Sequence, residues 1–224
     1  MGVKSTPEND DHSNCASNLK PQALLRTILF DLGNVIVHFS HALMCEQIGV
    51  VLNRTGPEAR SFLIDSGLMW DFERGKIGES ELLAAVKRDL GQSVDPVALS
   101  TACSDIFRLN EPIVPVIESL KKQGFRLVVL SNTSHWHVDW IRQKWDVLNL
   151  FDQLVLSYEV GAIKPEPMIY EAALRAIHCK PEECFYTDDI PAYVARAREF
   201  GLQAEVFTDV DSLTRQLSER GVTV

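Results

Sequence analysis

The sequence contains little that would support a disulfide or zinc framework. Its five cysteines lie among 224 residues without CxxC spacing, and an odd number of scattered cysteines favours reduced thiols. No apolar run approaches the roughly 18–20 residues needed to span a bilayer, and the N-terminus lacks the apolar segment of a signal peptide. We therefore expect a soluble, cytoplasmic protein with no membrane partner.

Basic residues are also fewer than acidic ones. There are 22 lysines and arginines against 31 aspartates and glutamates, a net charge of −9. A surface of that sign repels nucleic acid and anionic lipid, so neither is an expected ligand. A small anionic ligand would have to be attracted locally, by a metal ion, a lysine or helix N-termini. Apolar residues at 46% and charged residues at 24% are ordinary for a globular protein.

The first 22 residues have almost no large apolar side chains and are rich in Ser, Asn, Asp and Lys. Such a segment cannot bury enough surface to offset the entropy lost on ordering. We predict a disordered N-terminal tail over residues 1–22. The remaining length suits one core, or a core that carries a small inserted domain.

Short runs of β-branched and apolar residues recur after the tail. They occupy residues 27–31, 126–131, 154–157, 184–188 and 204–208. Near-continuous hydrophobic runs of this kind are typical of parallel strands that are buried on both faces. Helical patterns at 113–123, 136–148, 167–177, 191–200 and 210–220 lie among the later runs. The alternation predicts an α/β fold with a doubly wound parallel sheet, Rossmann-like in arrangement.

Residues 41–110 interrupt this alternation. They show helical periodicity at 43–52, 57–63, 80–90 and 96–106, with no convincing strand. We predict a small helical cap inserted after the first strand, where it could cover the carboxyl edge of the sheet. The α/β core would then comprise residues 23–40 and 111–224.

Polar residues stand where the predicted strands end. Ligands of open α/β sheets bind outside the carboxyl ends of the strands. The residues at those ends, or in the loop that follows, are Asp31, Ser131, Asn132, Lys164, Asp188 and Asp189. Each has an ordinary structural alternative, as a turn former, a helix N-cap or a solvated charge. Their joint occurrence, in order along the sheet edge, favours a site.

These residues lie in segments that together resemble a known superfamily. The segments are Phe30-Asp31-Leu32-Gly33-Asn34-Val35, Leu130-Ser131-Asn132-Thr133, Ile163-Lys164-Pro165-Glu166-Pro167 and Tyr186-Thr187-Asp188-Asp189. In order, they are similar to the four motifs of the haloacid dehalogenase superfamily. The similarity is greatest to the branch that includes alpha-D-glucose-1-phosphate phosphatase and the N-terminal phosphatase domain of soluble epoxide hydrolase. Residues 72–77 resemble an element of the helical caps in that branch.

The resemblance implies a Mg²⁺-dependent phosphatase that acts on a small phosphorylated metabolite, such as a sugar phosphate. Asp31 would be the nucleophile that forms an aspartyl-phosphate, which divides one hard displacement into two easier ones. The implied Mg²⁺ ligands are Asp31, the backbone carbonyl of Gly33 and Asp189, with Asp188 coordinating directly or supporting the site. Ser131, Asn132 and Lys164 would bind the phosphoryl oxygens, and Lys164 would also stabilise charge during transfer.

Gly33 departs from the superfamily pattern. That position usually holds a second Asp, which serves as general acid and base and contributes about 10²–10⁴-fold to the rate. A good leaving group would tolerate the loss, or another residue would substitute. His38 and His41 are the nearest titratable candidates in the sequence. Trp70, Glu73 and Arg74 could face the substrate from the cap, or could belong to its core and surface.

Two other functions are compatible with these motifs. A 2-haloacid dehalogenase would use the same aspartate without a metal, but such a site gains nothing from the pair Asp188-Asp189. A catalytically weak binding or regulatory protein on the same fold is suggested by Gly33. The sequence does not predict an oligomeric state.

Overall fold

A computed structural model describes residues 1–2 and 24–224. The predicted tail, residues 1–22, lies outside the described residues except for its first two. The central sheet has five parallel strands in the order β5-β4-β1-β6-β7. They are β1 (Thr27–Phe30), β4 (Arg126–Ser131), β5 (Gln153–Leu156), β6 (Cys184–Asp188) and β7 (Gln203–Val206). All five predicted strands are confirmed.

The sheet is buried on both faces by two separate hydrophobic clusters. Side chains alternate between the faces of a strand, so Ile28 and Phe30 enter one cluster and Leu29 enters the other. Leu127 and Val128 of the neighbouring strand divide in the same way. This arrangement explains why the strands are near-continuous hydrophobic runs, and it confirms the predicted α/β class.

Six helices accompany the sheet. They are α6 (Val114–Lys122), α7 (His135–Lys144), α8 (Ser157–Val160), α9 (Pro167–Ala176), α10 (Pro191–Glu199) and α11 (Val210–Ser218). The helix predicted over 136–148 is wrong at its end. Trp145 is extended, with φ −145° and ψ 145°, and the chain continues as a 3-10 turn at Val147–Leu150.

Five further helices lie between the first strand and α6. They are α1 (His41–Val51), α2 (Gly56–Arg60), α3 (Leu68–Glu73), α4 (Glu79–Leu90) and α5 (Pro96–Ser104), with a π-helical turn at Ser61–Asp65 after α2. We call residues 41–104 the helical segment. Most of a third hydrophobic cluster lies in this segment, with residues such as Met44, Leu82 and Leu99, and Trp136 of α7 also belongs to it. Helix α3 was not predicted, because it has only six residues and begins after Gly67 in a left-handed conformation, φ 87°.

A second, two-stranded sheet joins the stretches of chain that precede and follow the helical segment. Strand β2 (Val37–His38) pairs antiparallel with β3 (Arg108–Leu109). The expectation of no strand between residues 41 and 110 is therefore wrong at β3. A ribbon of two residues per strand is too short to show a period of two in its sequence. Within the described part of the chain, no helix is both long and apolar enough to cross a membrane.

Candidate active site

Three adjacent strands bring the predicted site residues to one edge of the sheet. Asp31 directly follows β1, and its backbone N–H donates to the carbonyl of Thr187 in β6 (2.9 Å). Asp188 is the last residue of β6, and Ser131 is the last residue of β4. Because β4 and β6 flank β1, the predicted convergence of these side chains is observed.

Lys164 occupies the centre of the site. Its ammonium lies 2.7 Å from Asp31 Oδ1 and 2.7 Å from Asp188 Oδ2, and it donates to the carbonyl of Leu130 (3.1 Å). The side chain is 1% exposed. Although burial opposes a charged lysine, the carboxylates of Asp188 and Asp31 raise its pKa. Lys164 is therefore a buried cation held between two carboxylates.

The two oxygens of Asp31 have different surroundings. Oδ1 accepts from the backbone N–H of Leu32 (2.7 Å) as well as from Lys164. No described residue donates to Oδ2, which leaves that oxygen available to attack a ligand. Burial raises the pKa of Asp31 to about 7, against the lowering effect of Lys164. A bound cation would favour the ionised form.

The carboxylates at this edge fit a divalent cation. Asp31, Asp188 and Asp189 each offer an oxygen, and these oxygens lie within 4.8 Å of one another. Three carboxylates against one lysine leave an excess of negative charge, and carboxylate oxygens are the ligands that Mg²⁺ prefers. Asn34 Nδ2 orients Asp189 through a hydrogen bond of 3.0 Å.

Both carboxylate oxygens of Asp188 accept hydrogen bonds from other residues of the protein. Oδ2 accepts from Lys164 (2.7 Å) and from the hydroxyl of Tyr186, and Oδ1 accepts from the N–H of Ile190 (2.8 Å). These contacts suit a residue that fixes Lys164 beside the cation site. Direct coordination is thus better suited to Asp31 and Asp189, and the ligand roles remain predictions.

Asn132 has a structural role that its sequence position did not indicate. Its Oδ1 accepts from the backbone N–H of Lys164 (2.6 Å), and its Nδ2 donates to the Lys164 carbonyl (3.1 Å). The side chain therefore holds the Lys164 loop against β4. Ser131 is 2% exposed and lines the cavity beside Asp31. Binding of substrate by Ser131 and Asn132 stays a prediction.

A cavity of about 120 Å³ opens over these groups. It contains every predicted site residue except Asp188, which lies beneath it. Further lining residues are mostly apolar or aromatic: Phe39, Trp70, Ile106, Phe107, Ile190 and Tyr193.

Of the residues whose role the sequence left open, His41, Trp70 and Glu73 line the cavity. His38 is exposed on β2 and does not line it, and Arg74 instead pairs with Glu166 (2.5 Å).

His137 is a cavity residue that the sequence did not mark as functional. It is 6% exposed, and its Nε2 has no hydrogen-bond partner among the described residues. Burial lowers its pKa to about 4. Its ring packs edge-on against Phe107, with centroids 5.1 Å apart. Only the packing of α7 beneath the helical segment brings this histidine to the cavity.

Comparison with known proteins agrees with the fold. Residues 25–201 match the model of the haloacid dehalogenase-like hydrolases. The chain belongs to this family, as the motifs implied. The chain covers 21% of the length of the bifunctional epoxide hydrolase 2 proteins that it matches.

Two curated relatives and one solved structure illustrate the range of similarity. Bifunctional epoxide hydrolase 2 of Rattus norvegicus is 33% identical over 119 residues, which cover 50% of this chain and 21% of that protein. D-ribitol-5-phosphate phosphatase of Bacteroides thetaiotaomicron is 23% identical over 189 residues, 80% of this chain and 90% of that one. A haloacid dehalogenase family enzyme of the same bacterium, solved with magnesium and inorganic phosphate, superimposes with a TM-score of 0.74 at 22% identity. That superposition covers 84% of this chain and 98% of the other.

Proposed function

We propose that this protein is a Mg²⁺-dependent phosphomonoesterase that hydrolyses a small phosphorylated metabolite through an aspartyl-phosphate on Asp31. One observation carries the proposal. Asp31, whose Oδ2 accepts no hydrogen bond from a described residue, lines a cavity together with the buried Lys164 and with Asp189. An oxygen of Asp188 lies within 4.8 Å of oxygens of both aspartates. This combination supplies a nucleophile, a cation for the phosphoryl oxygens and ligands for a divalent metal ion.

Each residue of the site has a separate role in this proposal. Asp31 Oδ2 attacks phosphorus, while Lys164 holds Oδ1 and offers positive charge to the transferring group. The hydroxyl of Ser131, which lines the cavity, would donate to a phosphoryl oxygen. Asp31, Asp189 and the carbonyl of Gly33 would hold Mg²⁺, which when bound reduces the repulsion between the nucleophile and a phosphate dianion. Residues 41–104 would act as the cap that excludes water from the cavity.

The relatives support the same choice of reaction. The name of the D-ribitol-5-phosphate phosphatase specifies a small phosphorylated substrate, and the structural neighbour was solved with magnesium and phosphate. The dehalogenase alternative is less well supported, since a metal-free site has no use for the carboxylate of Asp189 close to Asp31. A cytoplasmic location remains our expectation.

The test is the release of inorganic phosphate from 4-nitrophenyl phosphate and from a panel of phosphorylated metabolites, with Mg²⁺ and with a chelator. The proposal predicts turnover that requires Mg²⁺. A binding or regulatory protein would bind phosphate esters without releasing phosphate in either condition. Release of halide from a 2-haloacid, independent of Mg²⁺, would instead support the dehalogenase.

A further inference from the structure

One buried charged side chain has no partner of its own. Among the described residues, the buried Asp, Glu, Lys and Arg side chains are Asp31, Glu73, Lys164 and Asp188. Lys164 contacts both aspartates, whereas no described residue makes a salt bridge or hydrogen bond with the carboxyl group of Glu73. Burial of an unpaired carboxyl group is unfavourable. A use in the adjacent cavity would account for it.

Glu73 lines the same cavity as Asp31, Gly33 and Lys164. Its backbone is fixed to the core, because Ser157 Oγ donates to the Glu73 carbonyl (2.6 Å). The same Oγ accepts from the backbone N–H of Thr133 (2.9 Å), two residues beyond Ser131. One hydroxyl thus ties the end of α3 to the loop that follows β4.

The next residue provides a second attachment. The guanidinium of Arg74 contacts the carboxylate of Glu166 (2.5 Å), and Glu166 follows Lys164 by two residues. Glu166 also accepts from the backbone N–H of Ile163 (3.2 Å). Both attachments lead from residues 73 and 74 to loops that carry site residues, so the folded chain fixes the backbone from which the Glu73 side chain enters the lining of the Asp31 cavity.

Three of the other titratable groups that line the cavity, Asp31, Lys164 and Asp189, already have roles in the proposed phosphoryl transfer. The remaining three are less suited to proton transfer near neutral pH. Burial lowers the pKa of His137 to about 4 and, together with Arg60, lowers that of His41. Burial raises the pKa of Tyr193 above its usual value. Glu73 has neighbouring titratable groups in Cys103 and Tyr193, and burial raises its pKa to about 7.

We propose that the carboxyl group of Glu73 is the proton donor and acceptor for the reaction at Asp31, replacing the carboxyl group that Gly33 lacks. This inference rests on the phosphomonoesterase function proposed above. In the first step, the bond from Asp31 Oδ2 to phosphorus forms and the ester bond breaks, and the Glu73 proton goes to the leaving oxygen. In the second, water attacks phosphorus, its proton returns to Glu73, and the Asp31–phosphorus bond breaks to release phosphate.

The test compares Glu73→Gln with the wild type on two esters. Ethyl phosphate has a poor leaving group, whereas 4-nitrophenyl phosphate leaves without a proton. With Glu73→Gln, we expect kcat for ethyl phosphate to fall by about 10²-fold or more. With the aryl ester, we expect a burst of nitrophenol near one equivalent, followed by slow turnover, because the second step still needs a base. Glu46→Gln, an exposed carboxylate in α1, is the matched control and should match the wild type.

The pH profile supplies an independent readout. Because the protonated carboxyl group is the donor, wild-type kcat for ethyl phosphate should fall as the pH rises through about 7. This falling limb should be absent from Glu73→Gln. The wild-type profile tests the inference even if the variant does not fold, because a profile without a falling limb near pH 7 on ethyl phosphate would contradict it.

The outcomes separate the two proposals. A wild type that releases phosphate from neither ester would contradict the proposed function. An active wild type with Glu73→Gln within threefold of it on ethyl phosphate would overturn only the role of Glu73. The role of Glu73 would also be overturned if the falling limb were absent from His41→Gln or His137→Gln and present in Glu73→Gln.

Discussion

The ring of Phe39 occupies the space that a side chain at residue 33 would need. A Cβ built on Gly33 would lie 2.8 Å from Phe39 Cε1 and 3.3 Å from Cδ1. Real Cβ atoms do not approach other atoms this closely, so any larger residue would have to displace the ring. Glycine at this position therefore allows the ring of Phe39 to lie against the backbone, and the same ring also lines the cavity.

This relationship predicts the result of restoring the carboxyl group. Gly33→Asp alone should lower stability by about 1–3 kcal/mol, the usual effect of overpacking, and should not improve turnover of alkyl phosphates. Gly33→Asp combined with Phe39→Ala makes room for the new side chain. In a Glu73→Gln background, where the proposed proton donor is absent, we expect the double variant to exceed Phe39→Ala on ethyl phosphate by up to about 10²-fold. Steady-state kinetics and denaturant unfolding of the three variants check this, and a large gain from Gly33→Asp alone would contradict it.

Lys164 should contribute strongly to stability as well as to turnover. Lys164→Met leaves Asp31 and Asp188 buried without their cation, and loss of one partner from a buried ion pair costs about 3–5 kcal/mol. Lys121→Met is the control, because Lys121 pairs with Asp152 at the surface (2.6 Å, 38% and 31% exposed) and should cost at most about 1 kcal/mol. Urea unfolding without metal measures both. Equal losses would contradict the central position of Lys164.

Glu73 predicts a specific pH dependence of stability. Its pKa is raised from 4.5 to about 7 in the folded protein, so the folded state retains a proton that the unfolded state has lost. Folding is therefore opposed increasingly as the pH rises from about 4.5 to 7. Glu73→Gln removes this penalty, and we expect its stability advantage over the wild type to grow by about 1–3 kcal/mol across that window.

Unfolding free energies of the two proteins at several pH values give the difference directly. Glu46→Gln should show no such trend. A stability difference between wild type and Glu73→Gln that stays constant from pH 4.5 to 8 would contradict the burial of an unpaired carboxyl group.

Asp189 should govern the affinity for Mg²⁺. Asp189→Asn keeps the volume of the side chain but removes the charge, so a higher Mg²⁺ concentration should be needed to raise the melting temperature and to support turnover. Loss of a residue that only orients a metal ligand lowers metal affinity by about 10–100-fold, and loss of a charged ligand should lower it at least as much. Asp211→Asn, an exposed residue of α11, should leave the Mg²⁺ dependence unchanged. An unaltered Mg²⁺ titration of Asp189→Asn would exclude it as a ligand.

Most of the fold and the main site follow from local sequence. The strands could be predicted because residues such as Ile28 and Leu29 are buried on opposite faces, and the site followed from the rule that ligands bind at strand ends. The ribbon of Val37–His38 with Arg108–Leu109 could not be predicted from local sequence. Each of its strands has only two residues, and the paired positions are about 70 residues apart in the chain. The environment of Glu73 likewise depends on Ser157, 84 residues away.

The most direct test of this account is to find the phosphoryl group on Asp31. Wild-type protein would be mixed with 4-nitrophenyl phosphate and Mg²⁺, quenched in acid within the first turnover, and digested for peptide mass spectrometry. Glu73→Gln, in which the intermediate should accumulate, would be treated in parallel. We predict a phosphorylated peptide with the modification at Asp31, absent from Asp31→Asn, which should also have lost turnover. Turnover by Asp31→Asn above a few per cent of wild type, or a phosphoryl group on another residue, would contradict the account.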